Sequence, residues 1–428
     1  MRASQTLFTN SQAKQEPLSL EDKISFYHLA LFLVALPFDL FYSQVILISL
    51  IFHVLIHFKR EKIKSIFTWQ NLLLSSVLLF NIIALTWSID KERGIREIGR
   101  QSAIILFPLV FSAINLNVRL YWKKLPIIFG VTCTITIVYL FADAIRTILY
   151  HKMSFTTLFS QLFINHNFSE PIGIHATYLS MYIALSIATF LYSLLQEKNK
   201  LMRILYFGAI AILLAGLLQL ASRSVLLSTI FFIVFVFPFF LPTAFPRLRF
   251  IIATVIISGI TLFGITRIDS FKRRFVVEFR NDLNQNAINN EILEPRIIRW
   301  KAAVPLFKEA PLFGHGTGAE LSLLKEKYFE NNLFNSYLNE LNAHNQYLSF
   351  LINAGVCGLL IFLFTLAAGF INAWKDKNVI FFSFLILISV VSFSENILLL
   401  NKGVFFYAFF FSFFLKSKKL SVDDHKML

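Results

Sequence analysis

The chain has 428 residues, 56% of them hydrophobic, with 50 phenylalanines and a formal net charge of +15. Soluble domains are usually about 45–50% apolar, so the composition excludes an ordinary soluble protein and points to an all-α polytopic membrane protein in contact with membrane lipids. The positive charge falls in short clusters between apolar runs, a pattern of membrane topology that argues against nucleic acid as a partner.

In chain order, the residues to about Leu20 are polar and lack the basic-then-apolar order of a cleavable signal, so the first helix is expected to direct insertion. A spanning helix needs roughly 20 apolar residues. About twelve apolar runs approach that length, at 24–41, 43–58, 69–88, 102–117, 125–147, 173–195, 202–221, 224–242, 248–266, 345–373, 378–394 and 398–415. Basic residues follow the even-numbered runs: Lys59, Arg60, Lys62 and Lys64; Arg119, Lys123 and Lys124; Lys198, Lys200 and Arg203; Arg247 and Arg249; Lys375 and Lys377; Lys416, Lys418 and Lys419. The positive-inside rule assigns those exits to the cytoplasm. The expected organisation is a cytoplasmic tail at 1–23, helices one to nine over 24–267, a periplasmic loop at 268–343, helices ten to twelve over 344–415, and a cytoplasmic tail at 416–428.

Two outer segments do carry basic residues. Asp90 to Arg100 mixes Lys91, Arg93, Arg96 and Arg100 with Asp90, Glu92 and Glu97, as expected of an amphipathic helix on the outer surface. The long loop exceeds the length over which the charge rule holds. Within it, Ile297 to Phe307 and Leu321 to Phe329 have the spacing of short amphipathic helices, the first bounded by Pro295 and Pro311. Cys133 and Cys357 sit in apolar runs and read as small core residues, with neither a disulfide framework nor a metal pair.

This topology gathers five polar features on one face: His175, Arg223, the long loop, His344 and Glu395. Converging polar groups at one membrane face describe a site. Arg223 lies in a tight Ser222-Arg223-Ser224 turn between apolar runs. Its guanidinium is either an interfacial anchor that snorkels to water or an anion grip suited to phosphate. Arg296 and Arg299, three residues apart, share a helix face, which is either solvated or joins Arg223 around a diphosphate. Gly314-His315-Gly316-Thr317-Gly318 has the composition of a phosphate-cradling loop but not the Gly-Lys-Ser/Thr ending of a nucleotide loop, and on its own reads as a flexible turn. His344 in Asn342-Ala343-His344-Asn345-Gln346 is either a cap or a general base, since imidazole titrates near neutrality. His175 is a second such candidate, and Glu395 would orient a base or pair with an arginine. No metal-ligand spacing occurs, so neither a metal nor a cofactor is expected.

The ordered set resembles the O-antigen ligase and polymerase family of bacterial inner-membrane glycosyltransferases. It comprises a Ser-Arg turn, a long outer loop with Arg-x-x-Trp, Pro311-Leu312-Phe313-Gly314-His315-Gly316-Thr317-Gly318, and His344-Asn345-Gln346-Tyr347-Leu348 running into Gly355-Val356-Cys357-Gly358. The resemblance is strongest over about 170–400, includes His175-Ala176-Thr177-Tyr178-Leu179, and is only general over the first five runs. It implies a glycosyltransferase C-like membrane fold that moves a glycan from undecaprenyl diphosphate to an acceptor at the periplasmic face of the inner membrane. For the ligases that acceptor is the lipid A-core; a second lipid-linked glycan (polymerase) or a protein (O-oligosaccharyltransferase) would use the same donor. By the same resemblance, Arg223 and a loop arginine hold the diphosphate and His344 assists the acceptor hydroxyl. Arg299 fits the loop position better through its Arg-x-x-x-Ala spacing before Pro305, with Arg296 the alternative. Such chemistry needs no metal, because two arginines can neutralise the leaving diphosphate. A transporter or flippase is the competing class, but its charged groups would sit nearer the bilayer midplane, which here is mostly apolar, with Asp143, near a helix end, the main charged exception.

Overall fold

In a computed structural model, residues 19–114, 116, 121–241, 244–283 and 294–417 are described. Residues 1–18 and 418–428 of the expected tails, Arg119, Lys418, Lys419 and loop residues 284–293 lie outside the described residues. Every apolar run carries a helix. The main ones are α1 (Leu20–Ala35), α2 (Leu40–Ile56), α3 (Trp69–Ala84), α4 (Lys91–Gln101), α5 (Ala103–Ala113), α6 (Lys124–Tyr150), α7 (Ala176–Gln196), α8 (Lys200–Leu220), α9 (Arg223–Phe231), α10 (Ala244–Arg267), α11 (Arg296–Glu309), α12 (Ala319–Glu330), α13 (Gln346–Lys375), α14 (Val379–Val391) and α15 (Asn401–Lys416). No strand occurs among the described residues.

The starts follow local chemistry. Ser19, Asp39, Thr68, Asp90, Asn199, Asn345 and Asn378 each accept a backbone N–H of the first turn that follows, which satisfies donors no helix can satisfy internally. Pro295 immediately precedes α11, where its missing N–H costs nothing. The two helices expected in the long loop are α11 and α12.

Six of the described helices are long and apolar enough to cross a membrane: Trp69–Trp87, Lys124–Tyr150, Ala176–Gln196, Lys200–Leu220, Arg223–Phe240 and Gln346–Lys375. The pair Leu40–Ile56 and Arg60–Ile66, bent by 111°, makes up to seven. About twelve spans were expected from the apolar runs, and length qualifies half of them. α1 and α15, at 16 residues each, reach only about 24 Å, against a hydrocarbon layer of about 30 Å.

The phenylalanine excess has a structural use. Phe405, Phe406, Phe409, Phe410, Phe411, Phe413 and Phe414 of α15 are buried. They stack on Phe32 of α1, Phe107 and Phe111 of α5, Phe129 of α6, and Phe381 and Phe384 of α14. In hydrocarbon the hydrophobic effect does not hold helices together, so interdigitated ring packing must. α7 runs buried through most of its length and packs on α6, α8 and α14, whereas Leu201, Ile204, Leu205 and Phe207 of α8 and Ile256, Ile257 and Ile260 of α10 face outward, as lipid contact requires.

α13 is broken. Gly355 sits at φ 65°, ψ −164° inside it. The break exposes carbonyls and N–H groups, and residues 311–316 fill it. The His315 and Gly316 N–H groups donate to the Ile352 and Asn353 carbonyls at 2.8 and 2.9 Å, and those of Val356 and Cys357 donate to Pro311 and Leu312 at 2.8 and 3.2 Å. A Cβ on Gly355 would collide with the Leu312 carbonyl, so only glycine fits this crossing. The glycine-rich segment is therefore a packing corner. Its Gly314, His315 and Gly316 N–H groups all serve main-chain carbonyls and are not presented to a phosphate. Gly316, at φ 93°, lies against the Ser88 main chain in the turn before α4 and donates its N–H to Asn353 of α13. α4 is the amphipathic helix expected near Asp90, but one face is covered: Gly94 and Glu97 are buried, and Gly94 abuts Thr317 and Gly318.

Candidate active site

His344 ends the loop just before α13. Its φ of 46° is a left-handed conformation that costs a non-glycine residue about 1 kcal/mol or more. Its neighbours impose it. The Ala343 N–H donates to Glu320 Oε1 at 3.0 Å, and the Ala343 carbonyl accepts Trp300 Nε1–H at 2.8 Å. The His344 N–H turns back to Asn342 Oδ1 at 2.8 Å, and Asn345 caps α13 through the Tyr347 and Leu348 N–H groups. A strained residue held from both sides is the kind of backbone outlier that clusters at functional sites.

The imidazole Nδ1 is 3.1 Å from Glu395 Oε2. The other carboxylate oxygen, Oε1, accepts Arg296 Nη2–H at 3.4 Å. Glu395 thus bridges imidazole and guanidinium. Burial raises its carboxyl pKa, but the hydrogen bond from His344 and the charges of His344, Arg296 and His175 outweigh that and hold it below its usual range. An ionised carboxylate only accepts, so Nδ1 is the donor in this contact, and in the neutral imidazole Nε2 holds the lone pair. Nε2 has no hydrogen-bond partner among the described residues, and His344 is about a quarter exposed (26%) while Glu395 is 13% exposed.

Glu395 sits in the turn between α14 and α15, which is anchored from several sides. Ser394 Oγ bonds Ser224 Oγ at 2.7 Å, the Leu398 N–H reaches Gln346 Oε1 at 2.9 Å, and the Asn396 amide reaches Glu320. The first of these contacts brings the Arg223 turn to the site. Arg223 opens α9, and its guanidinium lies 5.6 Å from the Phe279 ring centroid, a cation–π distance. Arg299 is 5% exposed and donates to the Asn342 carbonyl at 3.4 Å, whereas Arg296 is 27% exposed. His175 caps α7 through the Thr177 N–H, 3.3 Å from its Nδ1, and its ring lies edge-on to His166 with centroids 4.1 Å apart. Burial pushes its pKa down to about 4, with Glu395 opposing and His166, His344 and Arg296 adding to the depression; it is neutral at pH 7.

Sequence reading passed over two groups. Glu320 is buried in the first turn of α12, where desolvation raises its pKa against hydrogen bonds from Ser349, Ala343 and Asn396. Glu97 of α4 faces it, pushed up to about 7 by burial and then by the Glu320 charge. The only sequence signal was their occurrence on amphipathic segments, where a solvated position is the ordinary expectation.

A Haemophilus influenzae protein described as uncharacterized is 24% identical over 381 residues, covering 86% of this chain and 88% of that protein. The O-antigen ligase family model matches residues 208–363, a stretch that includes Arg223, Arg296, Arg299, Gly316 and His344 but neither His175 nor Glu395. That stretch is similar to the O-antigen ligase family.

Proposed function

We propose that the protein transfers a glycan from undecaprenyl diphosphate to the lipid A-core at the periplasmic face of the inner membrane, with His344 as the base. The observation that carries this reading is the His344–Glu395–Arg296 contact, with Nδ1 engaged and Nε2 left for a substrate hydroxyl. The family-model match over residues 208–363 supports lipid-linked glycan transfer of the ligase or polymerase type in general; the donor, the acceptor and the membrane face are part of the proposal.

In the proposed step the acceptor oxygen attacks the anomeric carbon and its proton passes to His344 Nε2. The bond from that carbon to the phosphate oxygen breaks, with its electron pair leaving on the diphosphate. Direct attack from the opposite side inverts the anomeric centre. Arg223 and a loop arginine stabilise the departing charge, which grows only as the bond breaks and is therefore where fixed cations lower a barrier. Arg296 suits that role by its exposure and by its tie to Glu395, while Arg299 braces the Asn342 carbonyl beside the base. His175, neutral and capping α7, lies close enough to Glu395 and His344 for their charges to act on it.

The test is transfer by purified protein in detergent, with chelator throughout, from an undecaprenyl-diphosphate glycan to lipid A-core, to a second lipid-linked glycan or to a periplasmic protein. Product on lipid A-core supports the ligase reading. Longer lipid-linked chains replace it with a polymerase, and glycoprotein with an oligosaccharyltransferase. His344→Ala is expected to abolish transfer while inserting in the membrane normally; transfer surviving in that variant refutes the base. Donor binding without transfer to any acceptor would favour a transporter.

A further inference from the structure

Glu320 touches no position assigned above to a substrate, yet three donors from two separate segments converge on its buried carboxylate. The Ala343 N–H reaches Oε1 at 3.0 Å, Asn396 Nδ2 reaches Oε1 and Oε2 at 3.2 and 3.3 Å, and Ser349 Oγ donates to Oε2. Its own N–H is tied to Asn353 Oδ1 at 2.9 Å. The placing of these donors is specific. Ala343 immediately precedes His344, and Asn396 immediately follows Glu395. One side chain therefore tethers the main chain beside each member of the pair. A carboxylate is costly to bury even when fully bonded, and a fold needing only bulk here would be served by an alkyl or amide group.

We infer that Glu320 is the positioning residue of the site: through the Ala343 N–H and the Asn396 amide it fixes the 3.1 Å separation of His344 Nδ1 and Glu395 Oε2. The inference rests on the reading of His344 as the acceptor's base. Glu320 exchanges no proton with substrate; it holds two segments in register. Misplacement by about 1 Å can cost on the order of 100-fold in rate, so the tether matters out of proportion to its distance from the chemistry.

The experiment compares Glu320→Gln, Glu320→Ala and Asn396→Ala with wild type by transfer kinetics, thermal midpoint, and the rate at which diethyl pyrocarbonate modifies His344, read by peptide mass spectrometry. Glutamine is nearly isosteric. Asn396 Oδ1 is buried without a hydrogen-bond partner among the described residues, so a flipped amide gives the new NH2 an acceptor while the Ala343 N–H is kept. Glu320→Gln is expected to keep kcat within a few-fold, and Glu320→Ala to lose about 100-fold in kcat with donor KM unchanged. His344 should be modified faster in Glu320→Ala than in Glu320→Gln or wild type. Asn396→Ala, which removes one tether, should lower both the thermal midpoint and, at a temperature where the variant stays folded, kcat, and it carries the test if Glu320→Ala fails to fold. Wild-type kcat in either alanine variant overturns the inference. So does a folded Glu320→Gln as inactive as Glu320→Ala, because the proton would then matter and not the position. Should the wild type transfer to no acceptor, the base reading fails on its own, and an equal His344 modification rate in wild type and Glu320→Ala would still overturn the positioning role.

Discussion

Glu395→Gln probes the contact on which the proposed chemistry depends. The carboxylate accepts from His344 at 3.1 Å and from Arg296 at 3.4 Å. The amide has one acceptor oxygen, so one of these bonds survives and the other donor meets an NH2 group. A hydrogen bond to a charged partner contributes about 1.5–3 kcal/mol. At about 1.4 kcal/mol per factor of ten, its loss corresponds to roughly 10- to 100-fold. If the surviving bond is to His344, donor KM rises because Arg296 is released; if it is to Arg296, kcat falls because the imidazole is no longer oriented. Steady-state transfer at varied donor, with acceptor saturating, separates the two. Folding carries a sign of its own. The Glu395 carboxyl is held below its usual range, so it adds stability at neutral pH that is lost as pH falls through the depressed value. The variant is thus less stable than wild type at pH 7, and the gap closes in acid. Unchanged kcat and KM in a folded Glu395→Gln protein would refute the idea that this carboxylate organises the site.

The two loop arginines should separate. Arg299→Ala, which removes a buried guanidinium bonded to Asn342, is expected to cost about 1–3 kcal/mol in stability and to lower the thermal midpoint, whereas Arg296→Ala should leave the midpoint near wild type and raise donor KM; the reverse pattern would exchange their roles. Glu97→Gln should stabilise the protein at pH 8. The Glu97 pKa is raised from 4.5 to about 7, so its ionisation opposes folding increasingly as pH rises between those values, by up to about 3 kcal/mol at about 1.36 kcal/mol per unit. Midpoints of variant and wild type measured from pH 4.5 to 8 should converge at the acid end.

The sequence made the helices legible because apolar length and polar caps are local properties: every apolar run carries a helix, and α11 and α12 stand where loop periodicity put them. Loop charge led to the expectation that His344, Glu395, His175 and the Arg223 turn share one face; the His344–Glu395 and Ser394–Ser224 contacts are what the structure shows of that gathering. Tertiary facts stayed hidden. Nothing in Asn353-Ala354-Gly355-Val356-Cys357 distinguishes a helix break from an ordinary apolar stretch, because the break exists only where residues 311–316 fill it. For the same reason the glycine-rich segment read as a phosphate loop or a flexible turn, when the His315 and Gly316 N–H groups are spent on α13 and that of Gly314 on Ala310. Glu320 and Glu97 looked solvated on their amphipathic segments; burial came from their packing partners. The choice between Arg296 and Arg299 turned on spacing in the sequence and turns on exposure in the fold.

The interruption at Gly355 divides α13 into parts with different surroundings. From Val356 to Lys375 the helix is about 30 Å long at 1.5 Å per residue, enough to match the hydrocarbon thickness unaided. It turns Leu360, Leu363, Phe364, Ile371 and Trp374 outward. The preceding turns bury Gln346, Ser349, Phe350, Ile352 and Asn353 in protein. The lower part acts as a mast sized to the bilayer, and the upper part is a bracket fastened to the loop. The glycine thus marks the junction between a bilayer-length apolar helix and the segment, bonded to residues 311–316, that leads back to His344.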